Sequence, residues 1–437
     1  MRTRIAIIAV TLSKWLLSLL GRGGSLPGAI ALKIDPDFLS KLIYPEHVVL
    51  VSGTNGKTTT ANQLYEVLSN NGWKTISNLK GDNMKMGIVS LIGSHTGFDR
   101  KVRADAVVLE IDELNIPLVI DEMKVSALIM NNLFRDQGDR LGSVEALTKR
   151  IGDSLRNFSG LLVLNGNDAN VSSLKQYAPH ARACYFGVGC SEVSQHSAKE
   201  AGEGKFCPSC KKQLSYTYYN YAHMGEFICP DCGFGNFDYA AKAENIQKDG
   251  SFTVNGMPFT SPQNALYAIY NCCAIIAYTQ SIGICTDVIV RTFASFEFRA
   301  GRTETINVHG KPVTMMLIKN PAGANETMKY IEDDKEMKDI VIIVNDAEGD
   351  GRDVSWYWDA DFERIMQPDV AHIICSGLRA YDMALRFFYS GYEGDLQVIE
   401  EPSAALDRLL EYKEHAYVMA NYTALAPTRA LLERKAR

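Results

Sequence analysis

The chain has 437 residues, 46% hydrophobic and 22% charged, with a net charge of −6 and a pI near 5.8. That length supports two or three domains of a globular protein with ample core. The acidic balance argues against general nucleic-acid affinity, and no repeat or low-complexity tract is visible.

Ile5 to Leu20 is largely apolar behind Arg2 and Arg4, as in a signal peptide. Lys14 interrupts the run, its 16 residues fall short of a membrane span, and Gly21-Arg22-Gly23-Gly24-Ser25 is a poor cleavage site. The segment reads as a helix that packs on the body or lies on a membrane surface. A cytoplasmic protein is expected, with the inner face of the membrane as a site of association.

Residues 48–60 read Val-Val-Leu-Val-Ser-Gly-Thr-Asn-Gly-Lys-Thr-Thr-Thr. The β-branched run predicts a buried strand, and Lys57 with Thr58 opens a helix after a turn at Gly53 and Gly56. Such a loop aims backbone N–H groups and a helix N-terminus at an anion. Lys57 supplies a charge for the outer phosphates of ATP, and the Thr58 hydroxyl is a ligand for Mg²⁺. The ATP-binding candidates here are Gly53, Thr54, Asn55, Gly56, Lys57, Thr58 and Thr59. Val51 stands where the strict pattern asks for Gly, so the loop is a variant. The alternative is a strand-to-helix connection that merely needs φ > 0.

Short apolar runs then alternate with helical stretches: Ala106–Ile111, Ala127–Met130 and Leu161–Leu164. This is the α/β pattern of a mostly parallel sheet. Glu110, Asp112 and Glu113 close the first run. Glu110 is the candidate second Mg²⁺ ligand and a candidate catalytic residue; a solvated strand end is the bland reading of all three.

Cys207-Pro-Ser-Cys210 and Cys229-Pro-Asp-Cys232 are separated by 18 residues, the spacing of a zinc ribbon. Four sulfur ligands close the site, so a zinc ion there is structural and holds residues 200–240, too few to form a core. Two disulfides or a redox pair fit a reduced compartment poorly. Tyr216, Tyr218, Tyr219 and Tyr221 could stack on bases, but few basic residues accompany them, and alternating tyrosines suit a ribbon strand. No nucleic-acid partner is expected. Cys272 and Cys273 lie in an apolar helical stretch and read as core.

A second α/β series follows a boundary near Gly301–Asn307: Val313–Ile318, Ile340–Val344, His372–Cys375 and Ala416–Ala420. No Gly-x-Cys-x-Gly glutaminase elbow is found: Val188 and Glu192 flank Cys190, and Ile373 precedes Cys375. Asp353, ahead of Val-Ser-Trp-Tyr-Trp, reads from the residues alone as a helix N-cap. Trp356 and Trp358 are interface anchors or core.

Gly53-Thr-Asn-Gly-Lys-Thr58 resembles the loop of the Mur ligase superfamily, which activates a carboxylate as an acyl phosphate for attack by an amine. The resemblance extends to Ser77–Asn83, to Leu164-Asn165-Gly166-Asn167-Asp168, to Tyr270-Asn271 and to Gly301-Arg302. It implies that Asn83 lies near the nucleotide phosphates, that Asn271 reads adenine and that Arg302 faces the phosphates. Within the superfamily, two features are similar to the MurT-type synthetase subunits of lipid II isoglutaminyl synthase. The phosphate loop comes so early that the usual domain for a UDP-linked substrate is expected to be missing, and a zinc ribbon interrupts the central domain. Residues 134–137, 319–323, 350–356 and 421–427 continue that likeness.

The resemblance implies an N-terminal helix and lead-in over 1–45, a central ATP-binding domain over 46–305 with the ribbon inserted, and a C-terminal Rossmann-like α/β domain over 306–437. It implies ATP-dependent amidation of the D-glutamate α-carboxylate in the lipid II stem peptide, with ammonia from a GatD-like class I glutaminase. There Asp353 would complete the partner's Cys–His pair as a triad; Asp350 and Asp346 are the fallback candidates. An amino-acid ligase of the folylpolyglutamate synthase kind, or a zinc-ribbon scaffold with a vestigial ATP site, is the rival. Three departures stand out. Gln137 replaces a His that helps hold a second Mg²⁺, Ala268 replaces an Asn ahead of the adenine helix, and no ribose-binding Asp precedes Asn320.

Overall fold

The computed structural model describes residues 1–19, 24–79, 83–134, 143–196, 204–296, 303–347 and 350–436. These form two compact units, one of residues 1–134 with 143–296, the other of 303–436.

In the first unit the strands are β1 (His47–Ser52), β2 (Thr75–Ser77), β3 (Ala106–Glu110), β4 (Ala127–Met130), β5 (Leu161–Asn165), β6 (Arg182–Val188), β7 (Ser215–Tyr221), β8 (Met224–Ile228), β9 (Tyr239–Glu244), β10 (Ser251–Val254) and β11 (Met257–Thr260). The helices are α1 (Arg2–Leu19), α2 (Leu26–Ile34), α3 (Lys57–Asn70), α4 (Lys85–Ser94), α5 (Ile116–Val119), α6 (Val144–Ser154), α7 (Ala169–Ser173), α8 (Leu266–Ser281) and α9 (Thr286–Ser295).

Nine strands form one sheet in the order β11-β10-β9-β6-β5-β4-β1-β3-β2. The block from β2 to β9 is parallel, and β10 and β11 close it as an antiparallel edge. A parallel strand covered on both faces must be apolar throughout, and Val48 to Val51 are fully buried. β1 lies between β3 and β4 with Val51 beside Glu110. The loop after β1 therefore opens at the carboxyl ends of three strands, where open α/β sheets bind ligands. β7 and β8 pair apart from this sheet as a hairpin.

The N-terminal segment packs within this unit. Ala6, Ile7 and Val10 are buried, and Val10 sits so close to Gly93 of α4 that a Cβ there would meet it at 3.1 Å. The Thr3 hydroxyl donates to Asp35 at 2.7 Å, and Lys14 Nζ to Ser94 at 2.7 Å. Among the described residues no helix is long and apolar enough to cross a membrane.

The second unit contains β12 (Thr303–Val308), β13 (Lys311–Leu317), β14 (Lys338–Ile343), β15 (Val370–Ser376), β16 (Asp395–Val398) and β17 (His415–Ala420). Its helices are α10 (Pro321–Asp333), α11 (Trp356–Asp359), α12 (Ala380–Tyr389), α13 (Pro402–Glu411) and α14 (Tyr422–Lys435). The sheet order is β12-β13-β17-β14-β15-β16, parallel except for the β12–β13 hairpin. Side chains alternate between two cores: Ile340 and Ile342 with Tyr417 and Met419 on one face, Val341 and Ile343 with Val418 on the other. A sequence boundary between 305 and 306 falls inside β12.

Candidate active site

The loop after β1 is held from below by the end of β4. Thr54 N–H donates to the Asn132 carbonyl at 3.0 Å, and Phe134 N–H donates to the Thr54 hydroxyl at 2.9 Å. Asn132 clamps the backbone of Asn55 from both sides, accepting from its N–H at 2.8 Å and donating to its carbonyl at 3.1 Å. The Thr54 side chain and the Asn55 N–H are thus committed to the loop itself. Glycine is required at two places. Gly53 and Gly56 have φ of 133° and 81°, and a Cβ would meet the Asn132 backbone at 2.9 Å and Asn271 Oδ1 at 2.4 Å.

α3 starts on Gly56 with no side-chain cap and no acidic residue in its first turn. Its leading N–H groups are the orphan donors of a helix N-terminus, suited to an anion. Asn271 projects from α8 onto Gly56, and its Nδ2 is buried without a partner, as is Asn131 Oδ1 beside it. Orphaned polar atoms around an uncapped helix start fit a polyanionic ligand with its own donors and acceptors, such as a nucleotide.

Lys57 Nζ donates to the carbonyls of Gly53 and Thr54 and lies 2.9 Å from Glu113 Oε1. Both partners of this ion pair are nearly buried. The sequence reading favoured Glu110 over Glu113; the structure gives Glu113 the lysine. Glu110 ends β3 with 4% exposure, and Asn83 Nδ2 donates to its Oε1 at 3.2 Å. Its backbone is gripped by Asn78, which accepts from the Glu110 N–H and donates to its carbonyl, both at 2.8 Å. Asp112 is spent on capping, accepting from the Leu114 N–H at 3.0 Å. Thr58 and Thr59 are half-buried in the first turn of α3. The Thr58 hydroxyl and the Glu110 carboxylate are hard oxygen donors at the loop mouth, which fits Mg²⁺. Arg302, Gly301 and Gln137 lie outside the described residues.

Asn78, Asn131, Asn132 and Phe134 were not singled out as site residues. The signal that could have found them is position: Asn131, Asn132 and Phe134 follow β4, which flanks β1, and Asn78 follows β2, one strand further out.

The four cysteines converge. Cys207, Cys210, Cys229 and Cys232 have all sulfurs within 4.8 Å of one another, with 3.6 Å from Cys207 to Cys232 and 3.4 Å from Cys210 to Cys229. Tetrahedral thiolates around zinc stand about 3.8 Å apart, from a bond length of about 2.3 Å. The two knuckles are backbone copies. Lys211 N–H returns to the Cys207 carbonyl and Gly233 N–H to the Cys229 carbonyl, both at 2.9 Å, and Lys211 and Gly233 share φ of 63° and 73°. Burial opposes ionisation of Cys229, but the Cys232 and Asp231 N–H groups bring its pKa down to about 7. The Phe234 N–H favours the Cys232 thiolate, but burial and the neighbouring sulfurs outweigh it and push that thiol up to about 12. A divalent cation removes this conflict between adjacent thiolates.

In the second unit three carboxylates differ sharply. Asp350 is buried and accepts from the Thr423 N–H at 2.9 Å and from its hydroxyl. Asp346 pairs with Arg379 at 2.7 Å. Asp353 is half-buried and accepts from the Ser355 N–H at 2.9 Å, a local turn bond rather than a cap of α11, whose N-cap is Ser355.

Residues 51–225 match the Mur ligase middle domain, and residues 317–425 match the MurT ligase C-terminal domain. The chain is 32% identical over 441 residues to the lipid II isoglutaminyl synthase (glutamine-hydrolysing) subunit MurT of Streptococcus pneumoniae, covering 99% of this chain and 97% of that protein. The chain belongs to the MurT family. The Staphylococcus aureus MurT is likewise 32% identical, over 94% of this chain and 93% of its own. Solved structures extend the fold beyond MurT. A pseudomurein peptide ligase type C from Methanothermus fervidus superposes with a TM-score of 0.71 at 18% identity, over 91% of this chain and 81% of its own. MurF from Acinetobacter baumannii gives 0.64 at 14% identity, over 93% and 80%. The α/β architecture is thus that of Mur ligases, and a MurT chain carries the loop, the carboxylates and the cysteine cluster described above.

Proposed function

We propose that this chain is the synthetase subunit of a lipid II isoglutaminyl synthase, an ATP-dependent carbon–nitrogen ligase. The α-carboxylate of the stem-peptide D-glutamate attacks the γ-phosphorus of ATP, and ADP leaves. Ammonia then attacks the acyl phosphate, and phosphate departs as the D-isoglutamine amide forms. The observation that carries this reading is the phosphate loop, with Lys57 held by Glu113, on a chain that matches a MurT subunit over 99% of its length.

The protein's work is positioning and charge neutralisation. The N–H groups that open α3 and the Lys57 ammonium hold the phosphates, with Glu113 and the two loop carbonyls fixing where that ammonium sits. Asn271 Nδ2 is a donor for the nucleotide. Asn83 holds the Glu110 carboxylate, and Asn78 holds the Glu110 backbone. Thr58 and Glu110 would hold Mg²⁺, which supplies positive charge against the transferred phosphoryl group. The four cysteines would hold zinc as a structural ion. The central domain ends before β12 (Thr303–Val308), and the C-terminal domain includes that strand. Arg302 is assigned to the phosphates on the family likeness alone.

Nitrogen comes from a second subunit, a GatD-like class I glutaminase. Two features of the second unit support this. Asp353 is a half-buried carboxylate on a local turn, the candidate to orient a partner's histidine. Nearby, α12 buries Ala380, Met383 and Phe387 on one face and exposes Tyr381, Leu385 and Phe388 on the other. Phe388 and Tyr389 are 68% and 71% exposed, and Trp358 lies 5.9 Å from the Tyr389 ring. Aromatic residues left bare in this number suit an interface core.

The lipid-linked substrate places the work at the inner membrane face. On α1 the exposed Ile5, Ile8, Leu12, Trp15 and Leu16 follow helical spacing opposite the buried face, and the helix carries Arg2, Arg4 and Lys14 with no acid. Such a stripe suits contact with an anionic lipid surface.

The test is a nitrogen-source comparison on lipid II with ATP and Mg²⁺, read as the mass of the stem peptide. Conversion of acid to amide with ammonium supports the proposal. Addition of a whole amino acid instead would move the chain to the amino-acid ligases.

A further inference from the structure

The cysteine cluster lies at the base of the β7–β8 hairpin, and the other end of that hairpin reaches the candidate active site. The turn at its tip is Ala222-His223, with Ala222 at φ 47°. His223 and Met224 at the tip are almost fully buried. Reciprocal bonds pin the tip: Gly225 N–H donates to the Asn167 carbonyl, and Asn167 Nδ2 to the Gly225 carbonyl, both at 3.0 Å.

Two routes run from the tip to the phosphate loop. In the first, His223 Nε2 stands 3.3 Å from Asp168 Oδ2, and that oxygen also accepts from the Leu133 N–H at 2.9 Å. The His223 ring packs 4.7 Å from the ring of Phe134, whose N–H holds the Thr54 hydroxyl. In the second, Asn220 Nδ2 donates to Tyr270 Oη at 3.2 Å. Tyr270 precedes Asn271, whose Oδ1 faces Gly56. Among the described residues the base of the hairpin has a small core of Ala169, Cys207, Leu214, Phe227 and Cys229, with Tyr216, Phe234 and Phe237 partly buried against it. So small a core cannot fix the hairpin alone, and metal binding then becomes local folding energy.

We propose that the metal-loaded ribbon is a positioning device for the nucleotide site: occupancy of the four cysteines fixes the hairpin tip, and the tip holds Phe134 and Asn271 against the phosphate loop. Metal occupancy therefore sets ATP affinity at a distance from the phosphates. This rests on the reading that the loop binds ATP. His223 is a positioning residue and touches no reacting atom.

The experiment measures ATP affinity and zinc content on the full chain with its partner subunit: zinc-loaded, stripped with a strong chelator, and reloaded with zinc alone. Two variants, His223→Leu and His223→Gln, are measured with the zinc in place. Stripping should weaken ATP binding by about tenfold, and zinc should restore it. His223→Leu should keep its zinc and its melting temperature, and raise KM for ATP more than it lowers kcat. His223→Gln retains a donor for Asp168 and should recover part of the loss. If the stripped chain unfolds by circular dichroism, His223→Leu decides the matter alone. ATP binding in the stripped chain or in His223→Leu equal to that of the loaded wild type overturns the proposal. A loaded wild type that binds no ATP at all sinks the ATP reading first, and the two failures are distinguishable.

Discussion

The phosphate loop, directly after β1, and the Asp353 turn, in the longer segment between β14 and α11, hold their side chains in different ways. Around the loop the scaffold is braced from within the unit: Asn132 clamps Asn55, Phe134 holds Thr54, Glu113 takes Lys57 and Asn78 grips Glu110, while the N–H groups that open α3 and Asn271 Nδ2 are left for a ligand. Around Asp353 the neighbouring carboxylates are engaged by Thr423 and Arg379, and Asp353 itself accepts a local turn bond from the Ser355 N–H. A self-contained network marks chemistry done by this chain. On the proposed reading, the half-buried Asp353 carboxylate serves chemistry completed by another chain.

The largest expected effect breaks that contrast at its second side. Asp353→Asn should lower glutamine-driven amidation by about 10⁴-fold, the scale for a triad carboxylate, and leave ammonium-driven amidation near wild type. Lys57→Ala attacks the first side and should lower both by about 10²–10³-fold, the scale for loss of a group that stabilises transition-state charge. Equal losses from glutamine and from ammonium with Asp353→Asn would erase the distinction.

Smaller effects sharpen it. Phe388→Glu on α12 should weaken association with the glutaminase by about 30-fold, the scale of an interface hot spot, while ATP binding by the isolated chain stays constant; titration calorimetry separates the two. Leu12→Glu on α1 should reduce binding to anionic vesicles by about tenfold, from the transfer energy of one buried leucine. Unchanged sedimentation with vesicles would remove α1 as the membrane contact. The smallest effect concerns the brace beside the Asp353 turn. Burial opposes the Glu363 carboxylate, but its bond from Arg386 outweighs that and holds its pKa at about 2. A depressed folded pKa stabilises above the unfolded value of about 4.3 and loses that stabilisation as pH falls toward 2. Glu363 is almost half exposed, so the loss should stay under about 1 kcal/mol. Glu363→Gln should flatten the melting temperature over that window.

The strands, the loop and the cysteine cluster were legible because each carries a local signature: β-branched runs, a Gly-rich turn with Lys-Thr, and two Cys-x₂-Cys pairs. Glu113 was passed over because a strand-end carboxylate looks the same whether it meets Mg²⁺, lysine or water; only the fold brings it to Lys57. Asn78, Asn132 and Phe134 have no residue-type signature, only their position after strands, since their work is backbone bonding across distant strand ends. Asp353 reads as a cap from its neighbours, and the structure moves the cap to Ser355. The tie from His223 to the phosphate loop joins residues far apart in sequence and has no local pattern to read.

The most direct test is stem-peptide mass after incubation of lipid II with ATP, Mg²⁺ and the chain coexpressed with its glutaminase, comparing wild type with Asp353→Asn. Amide formation by wild type from glutamine, and by Asp353→Asn only from ammonium, is the expected result. An unchanged mass for wild type with both nitrogen sources would contradict the assignment.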